Sequence, residues 1–337
     1  MSLITIASFD DGAQAYTGRW NTWSSLNNII AGRTGNAVRL DGNANNLIIA
    51  DGMNDDTIIL GCAFQWGGIS SSFSNFAFNE GGSTQVSVRC NGSGFTAYRG
   101  TSTVLGSSAS GLYGAFEWHY LEIKVVIHDT TGSVEIRLNG STVLNLTNQD
   151  TQVTGNAAVT WVAHGAHSGT TGWLYLDDYY ICDGQGGIND DFLGDCKVEW
   201  HAPDGNGNYS DWVGQDADST DNYLNVDDDG SPDDDTTYNE AGTAGDTDSY
   251  THDNLDASSS AQVFGVQVGA IAKHTGGGGT MRLMHRRAGA DDYQGTFTPG
   301  ASYTWGGYIW DQDPQAGPGV WTPANVDASE FGVDIVS

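Results

Sequence analysis

The chain has 337 residues, with 42 Asp and Glu against 12 Lys and Arg, a formal net charge of −30. A field of that sign repels nucleic-acid phosphates and anionic headgroups, so neither nucleic acid nor membrane insertion is expected. No run approaches the ~18 apolar residues of a spanning helix, and Met1–Ile6 lacks a basic and apolar leader, so no signal peptide is expected.

Glycine is abundant at 47 and proline scarce at 6, and no long window keeps apolar residues at helical spacing. That pattern predicts short strands joined by tight turns. Residues 1–184 read as one unit. Gly35–Gly42 leads into Asn46–Ala50, and Thr57–Trp66 follows as a β-rich run. Gln85–Arg89 alternates as a half-buried strand should. Leu121–Ile127, Ser133–Leu138 and Thr142–Leu146 form a meander. Its second turn is Asn139-Gly140, a pair suited to two positive φ angles. Ala158–Val162 and Trp173–Ile181 close the unit.

Residues 185–195 are rich in glycine and aspartate and read as a linker. Residues 196–337 read as a second, smaller β-sandwich with long acidic loops between Asp211 and Asp256. In it, Ala261–Ile271 is a long strand, Gly276–Gly279 a loop, and Thr280–Arg286 the strand pairing back. The fold class is all-β, two β-sandwich domains.

Cys62, Cys90, Cys182 and Cys196 include no CxxC pair, which argues against a zinc ribbon or a disulfide scaffold. Buried thiols are expected, although Cys182 and Cys196 flank the linker and are placed to pair.

Several segments together resemble the concanavalin A-like lectin fold in its laminin G-like form. They are Gly35–Gly42, Ile58–Trp66, the Trp118–Leu146 meander and Leu176–Ile181. The resemblance covers about half the chain. It implies a jelly roll of two curved sheets, acting on glycans or proteins, often with calcium, or as a structural module. The runs Asp177–Tyr179 and Asn189–Asp195, and the ending Gly319–Thr322 with Glu330–Val333, resemble virion proteins of tailed phages. That resemblance implies a tail, fibre or capsid decoration component assembled in the host cytoplasm and carried on the particle surface. Its partners would be other virion proteins and further copies of itself, a homo-oligomer for which a trimer suits a fibre, and a cell-surface glycan where it serves host adhesion.

Enzymatic chemistry finds little support. Sandwich glycosidases place acids at alternate strand positions, whereas Glu117 and Glu122 are five apart and Asp177 and Asp178 adjacent, each pair expected on opposite faces. His164 and His167 lie among glycines and read as a solvated loop. The serine-rich Gly106–Gly111 lacks a nucleophile elbow, and Gly276–Gly279 lacks the Lys-Ser/Thr of a phosphate loop. No catalytic residue is assigned.

Calcium is the one metal considered. Asn225, Asp227 and Asp229 precede Gly230 at alternate positions, and Asp233 falls where a further oxygen ligand would sit. Position twelve is Thr236, not a bidentate Glu, and the competing reading is a solvated acidic loop. For sugar stacking, the aromatic candidates are Trp20, Trp23, Trp161, Trp173 and Tyr179; core packing competes for each.

Overall fold

The computed structural model describes residues 3–12, 19–23, 27–41, 47–49, 53–67, 74–90, 93–166, 173–228, 230, 232–276, 278–317 and 319–337. The chain forms two compact units, Met1–Phe9 with Trp20–Val198, and Asp10–Arg19 with Glu199–Ser337. No described helix is long and apolar enough to cross a membrane.

The first unit contains β1 (Leu3–Ala7), β2 (Thr22–Trp23), β3 (Asn27–Ala31), β4 (Asn36–Asp41), β5 (Leu47–Ile49), β6 (Thr57–Trp66), β7 (Ser74–Glu80) and β8 (Ser83–Cys90). It continues with β9 (Phe95–Arg99), β10 (Thr103–Ser107), β11 (Trp118–Val126), β12 (Gly132–Leu138), β13 (Ser141–Gln149), β14 (Trp161–Ala166) and β15 (Trp173–Asp183). Sheet I runs β13-β12-β11-β6-β15-β4-β3, with β1 also paired to β15; sheet II runs β10-β9-β8-β7-β14-β5-β2. The pairings among the described strands are antiparallel, giving a jelly-roll sandwich.

Alternation builds the core. Leu121, Ile123 and Val125 of β11, and Val134, Ile136 and Leu138 of β12, point inward and are buried. From sheet II, Phe76, Phe78, Val86, Val88 and Phe95 meet them. On the outer face, Glu122 stands opposite Arg137 and Lys124 opposite Glu135, favourable cross-strand charge pairs. The expected hairpin forms. Asn139 and Gly140 have φ of 49° and 77°, and Asn139 Oδ1 accepts from Tyr120 N at 2.9 Å.

The segment read as a linker is a strap on sheet I. Phe192 lies 3.9 Å beneath the Arg137 guanidinium, and Lys124 reaches Asp191 at 3.1 Å. Leu193 N donates to the Tyr180 hydroxyl at 3.1 Å and Gly194 N to Glu122 at 2.8 Å. Asp195 pairs with Arg33 at 2.6 Å, and Val198 N donates to Asp178 at 2.9 Å. Local glycine and aspartate content signals weak intrinsic structure. It does not reveal that buried acceptors elsewhere claim the segment's N–H groups. None of the four cysteines is in a disulfide; Cys62, Cys90 and Cys182 are buried, and burial pushes Cys196 up to about 12.

The second unit contains β16 (Pro203–Ser210), β17 (Val213–Gly214), β18 (Asn239–Glu240), β19 (Thr247–His252), β20 (Val266–Ala272), β21 (Met281–Arg287), β22 (Ala290–Phe297), β23 (Thr304–Trp310), α1 (Pro323–Asp327) and β24 (Glu330–Ile335). Its main sheet runs β16-β19-β24-β21-β22; β17-β18 and β20-β23 are separate ribbons. Leu283, Trp310, Trp321 and Val326 form its core, flanked by Val266, Val268, Phe297, Phe331 and Val333. The sequence pairs 261–271 with 280–286, but β20 pairs β23, and β21 pairs β22 and β24. The tight turn at Ala288-Gly289, φ 53° and 81°, makes β21-β22 the local hairpin. The short α1 carries an N-terminal signature, Thr322 capping Asn325 N with Pro323 in the first turn.

Glu122 accepts from both Tyr180 and the strap. Glu122→Ala should therefore lower stability by about 1–3 kcal/mol and expose 189–198 to protease. Urea denaturation and limited proteolysis measure this; a wild-type cleavage pattern and midpoint would mean that Glu122 does not anchor the strap.

Candidate functional site

The site lies on the outer face of sheet I, at the end the strap leaves uncovered. Strand register sets it. Trp118 of β11 stands opposite Gln65 of β6, Gln65 opposite Tyr175 of β15, Tyr175 opposite Arg39 of β4, and Arg39 opposite Asn28 of β3. Paired residues share a face, so these five side chains form one row across the strands. Trp173, two residues before Tyr175, joins the same face, and Phe116 approaches from the loop before β11.

Ring centroids run from Trp118 to Tyr175 at 6.3 Å, Tyr175 to Trp173 at 6.5 Å and Trp173 to Phe116 at 6.5 Å. The Arg39 guanidinium lies 5.7 Å from the Trp173 ring. Gly67 makes room for Trp173, since a Cβ there would overlap the indole. The indole Nε1 is buried with no hydrogen-bond partner among the described residues.

Phe116 is the anomaly of the row. It is 61% exposed and holds φ at 61°, in the left-handed region that a bulky residue rarely occupies. Its N–H donates to Trp66 O at 2.8 Å, fixing that backbone. Such a residue costs about 1–3 kcal/mol in strain, and the exposed ring recovers little through burial.

The row's inner margin is polar and occupied. Tyr120, Ala63 and Asp177 form the next row toward the strap. Arg33 stacks 5.6 Å over Tyr120, whose hydroxyl donates to Asp178 O at 3.1 Å. Strict alternation places Asp177 and Asp178 on opposite faces. Instead a bulge between Asp177 and Tyr180, with Asp178 at φ 47°, brings both carboxylates to the Arg33–Thr34 turn. Asp177 Oδ2 accepts from Arg33 N at 2.8 Å and Thr34 N at 3.1 Å, and its Oδ1 from Asp178 N at 2.7 Å. Thr34 Oγ1 donates to Asp178 Oδ1 at 3.4 Å. Burial, reinforced by Asp178, pushes Asp177 up to about 7 despite those three N–H groups. Asp178 is raised too, mainly by burial.

The sequence-derived aromatics separate. Only Trp173 belongs to the row. Trp20 is 7% exposed and stacks on Phe9 at 5.9 Å, so it fills core rather than offering a face. Tyr179 is completely buried, because the bulge turns it inward to hydrogen-bond His164 Nε2 at 2.7 Å. His164 is correspondingly a core residue of β14, not part of a solvated loop, and burial lowers it to about 3. His167 lies outside the described residues. Trp161 sits on the outer face of sheet II, donating to Gly81 O at 2.8 Å. Trp23 pairs through its backbone with Leu47, and its side chain lies outside the described set.

The calcium quartet does not assemble among the described residues. Asn225 Nδ2 donates to Asn239 Oδ1 at 3.0 Å, and Asp233 Oδ1 accepts from Thr237 N and Oγ1 at 2.9 Å each. Asp229 lies outside the described residues, and no group of three or more His, Cys, Asp or Glu among those described is placed to hold a metal. Sequence reasoning missed Trp118, Tyr175 and Phe116. Tyr175 carried a signal in principle, standing at an outward position of the strand read over Trp173–Ile181, whereas Trp118 lies before the read strand Leu121–Ile127 and extends it in the structure.

No protein-family model and no curated protein matches the chain. Among solved structures, an alginate lyase is similar at 15% identity, covering 54% of this chain and 96% of that one, with a TM-score of 0.38. The binding domain of paraclostridial mosquitocidal protein 1 is 10% identical, covering 56% of this chain and 50% of that one, TM-score 0.39. Domain 4 of the extracellular arabinanase AbnA from Geobacillus stearothermophilus, in complex with arabinotriose, is 12% identical over 54% of this chain and 92% of that one, TM-score 0.35.

Asp177 supplies a pH test. An unfolded aspartate titrates near ~3.9, so the native state retains a proton that the unfolded chain releases between pH ~4 and ~7. This stabilisation is full below pH ~4 and is lost as pH rises through ~7. Asp177→Asn should flatten that part of the profile in urea midpoints taken across the window; a profile parallel to wild type would place the titration on another group.

Proposed function

We propose that the protein is a non-enzymatic β-sandwich module that binds carbohydrate on the outer face of sheet I. The observation that carries this is the aromatic cluster on that face: Trp118 and Tyr175 within the row, with Trp173 and Phe116 beside it. Aromatic faces offer apolar area to the C–H faces of sugar rings, while Gln65 and Arg39 bring hydrogen-bond donors between them. The strain held at Phe116 supports the same reading, since a left-handed, exposed aromatic contributes little to the fold and is well placed for a ligand.

The acids nearest the row argue for binding over hydrolysis. Glu122, Asp177 and Asp178 are buried: Glu122 Oε1 accepts from Tyr180 and the strap, both Asp177 oxygens accept from backbone N–H groups, and Asp178 Oδ1 accepts from Val198 N. Paired-carboxylate hydrolysis needs two acids open to a substrate. Glu117 is the exposed acid beside the row, and it lies 3.7 Å from His119.

We propose further that the module is displayed on a tailed-phage particle in multiple copies, serving decoration or host attachment. The support is the resemblance of Asp177–Tyr179, Asn189–Asp195 and Gly319–Thr322 to virion proteins, together with a charge of −30 suited to a solvated particle surface. Mass spectrometry of purified particles, against the soluble lysate, should find the chain in the particle fraction at many copies; its recovery only in the soluble fraction would end the virion assignment.

Binding is tested by affinity electrophoresis against a glycan panel, with calcium and with chelator. Trp118→Ala should weaken retention about tenfold, or about 1.4 kcal/mol. Phe116→Gly should also weaken retention while keeping or raising the urea midpoint, because glycine relaxes the φ of 61°. Undiminished retention in both variants would remove the row from the binding site, and release of reducing ends from a retained polymer would overturn the non-enzymatic assignment.

A further inference from the structure

We infer that the row takes an uncharged polysaccharide, laid across the strands alongside the strap. This rests on the carbohydrate reading of the same row and adds the ligand's charge class and direction.

Direction follows from the register. The row Trp118–Gln65–Tyr175–Arg39–Asn28 crosses five adjacent strands. Four interstrand spacings of ~4.8 Å make about 19 Å, the reach of a short oligosaccharide rather than one ring. The strap also crosses the strands, touching Arg137 of β12, Glu122 of β11 and Asp178 of β15 in turn. At Tyr120 it adjoins the row through Arg33 and Asp195. It therefore stands as a wall along the row and leaves a ligand free to extend across the sheet.

Charge class follows from what flanks the row. Its floor is aromatic rings with the neutral amides of Gln65 and Asn28. Among the described residues of the row, Arg39 is the cation, stacked on Trp173. At the margin stands the exposed carboxylate of Glu117, next in sequence to both Phe116 and Trp118, while Asp195 on the strap is neutralised by its cation. Arg33, the other cation close by, is already paired with Asp195. The unit that holds the row carries 16 Asp and Glu against 7 Lys and Arg, a net −9. A polyuronate or sulfated polymer would place repeated negative charges against that field, whereas a neutral polymer meets only stacking and hydrogen-bonding groups.

The full chain is titrated with neutral polysaccharides (xylan, β-glucan, dextran, mannan) and with polygalacturonate and a sulfated glucan, at low and at physiological salt. We expect at least one neutral polymer to bind, with affinity nearly independent of salt, growing from mono- to oligosaccharide, and about tenfold weaker in Tyr175→Ala. Salt-sensitive binding of the acidic polymers with the neutral ones ignored would overturn the charge class while leaving the carbohydrate site intact. Binding of a neutral monosaccharide as tightly as its oligomers would overturn the extended arrangement. Retention of no polymer under any condition would overturn the carbohydrate reading itself.

Discussion

One extra residue in β15 organises the first unit. Asp177 pairs with Ala63 and Tyr180 with Gly61, so two residues stand against Cys62 alone. Before the bulge, Trp173, Tyr175 and Asp177 face outward; after it, Tyr179 and Ile181 face inward and Tyr180 outward. Tyr179 thereby reaches His164 across the sandwich, tying the two sheets through a buried hydrogen bond. Tyr180 reaches Glu122 at 2.6 Å on the outside, creating the polar anchor on which the strap docks. Gly61 permits this arrangement, because any Cβ there would overlap the Tyr180 ring. A regular strand would instead send Tyr180 into the core and leave the strap's N–H groups without acceptors.

The bulge also divides the outer face of sheet I. On one side the strap donates to Glu122 and Tyr180, and through Val198 to Asp178 Oδ1, and covers Lys124 and Arg137 through Phe192. On the other, Trp118, Tyr175 and Trp173 stand outward, with Gln65 and Arg39 among them. The two halves differ in what their polar groups need. Buried acids require donors and so capture chain; half-buried aromatic rings require apolar contact and so remain receptive to a ligand.

Phe116 and Asp178 both hold left-handed backbone without being glycine, yet they differ in what sustains the conformation. Asp178 is embedded, with its carboxylate and carbonyl in hydrogen bonds to Val198 and Tyr120. Its strain is offset by the network it completes. Phe116 has one backbone bond and an exposed ring. That contrast separates an architectural outlier from one that the fold alone does not explain.

The sequence by itself determined the all-β class, the β11-β12-β13 meander and its Asn139-Gly140 turn. These depend on period-two alternation and on the φ preference of two adjacent residues, both local properties. It also offered Trp173 among five aromatic candidates without separating surface from core, and Thr322-Pro323 carries a helix start legible in the same local terms. Tertiary structure decided the rest. A bulge changes which face every later residue presents, so Tyr179 and the Asp177–Asp178 pair could not be placed by counting. The docking of 185–198 depends on acceptors at Glu122, Asp178 and Tyr180, of which Glu122 lies more than sixty residues away in the chain. The aromatic row exists only because β11, β6, β15 and β4 pair in one register, bringing together Trp118, Gln65, Tyr175 and Arg39 from four separate stretches. Strand register is fixed by the whole packed core, and no local stretch of sequence encodes it.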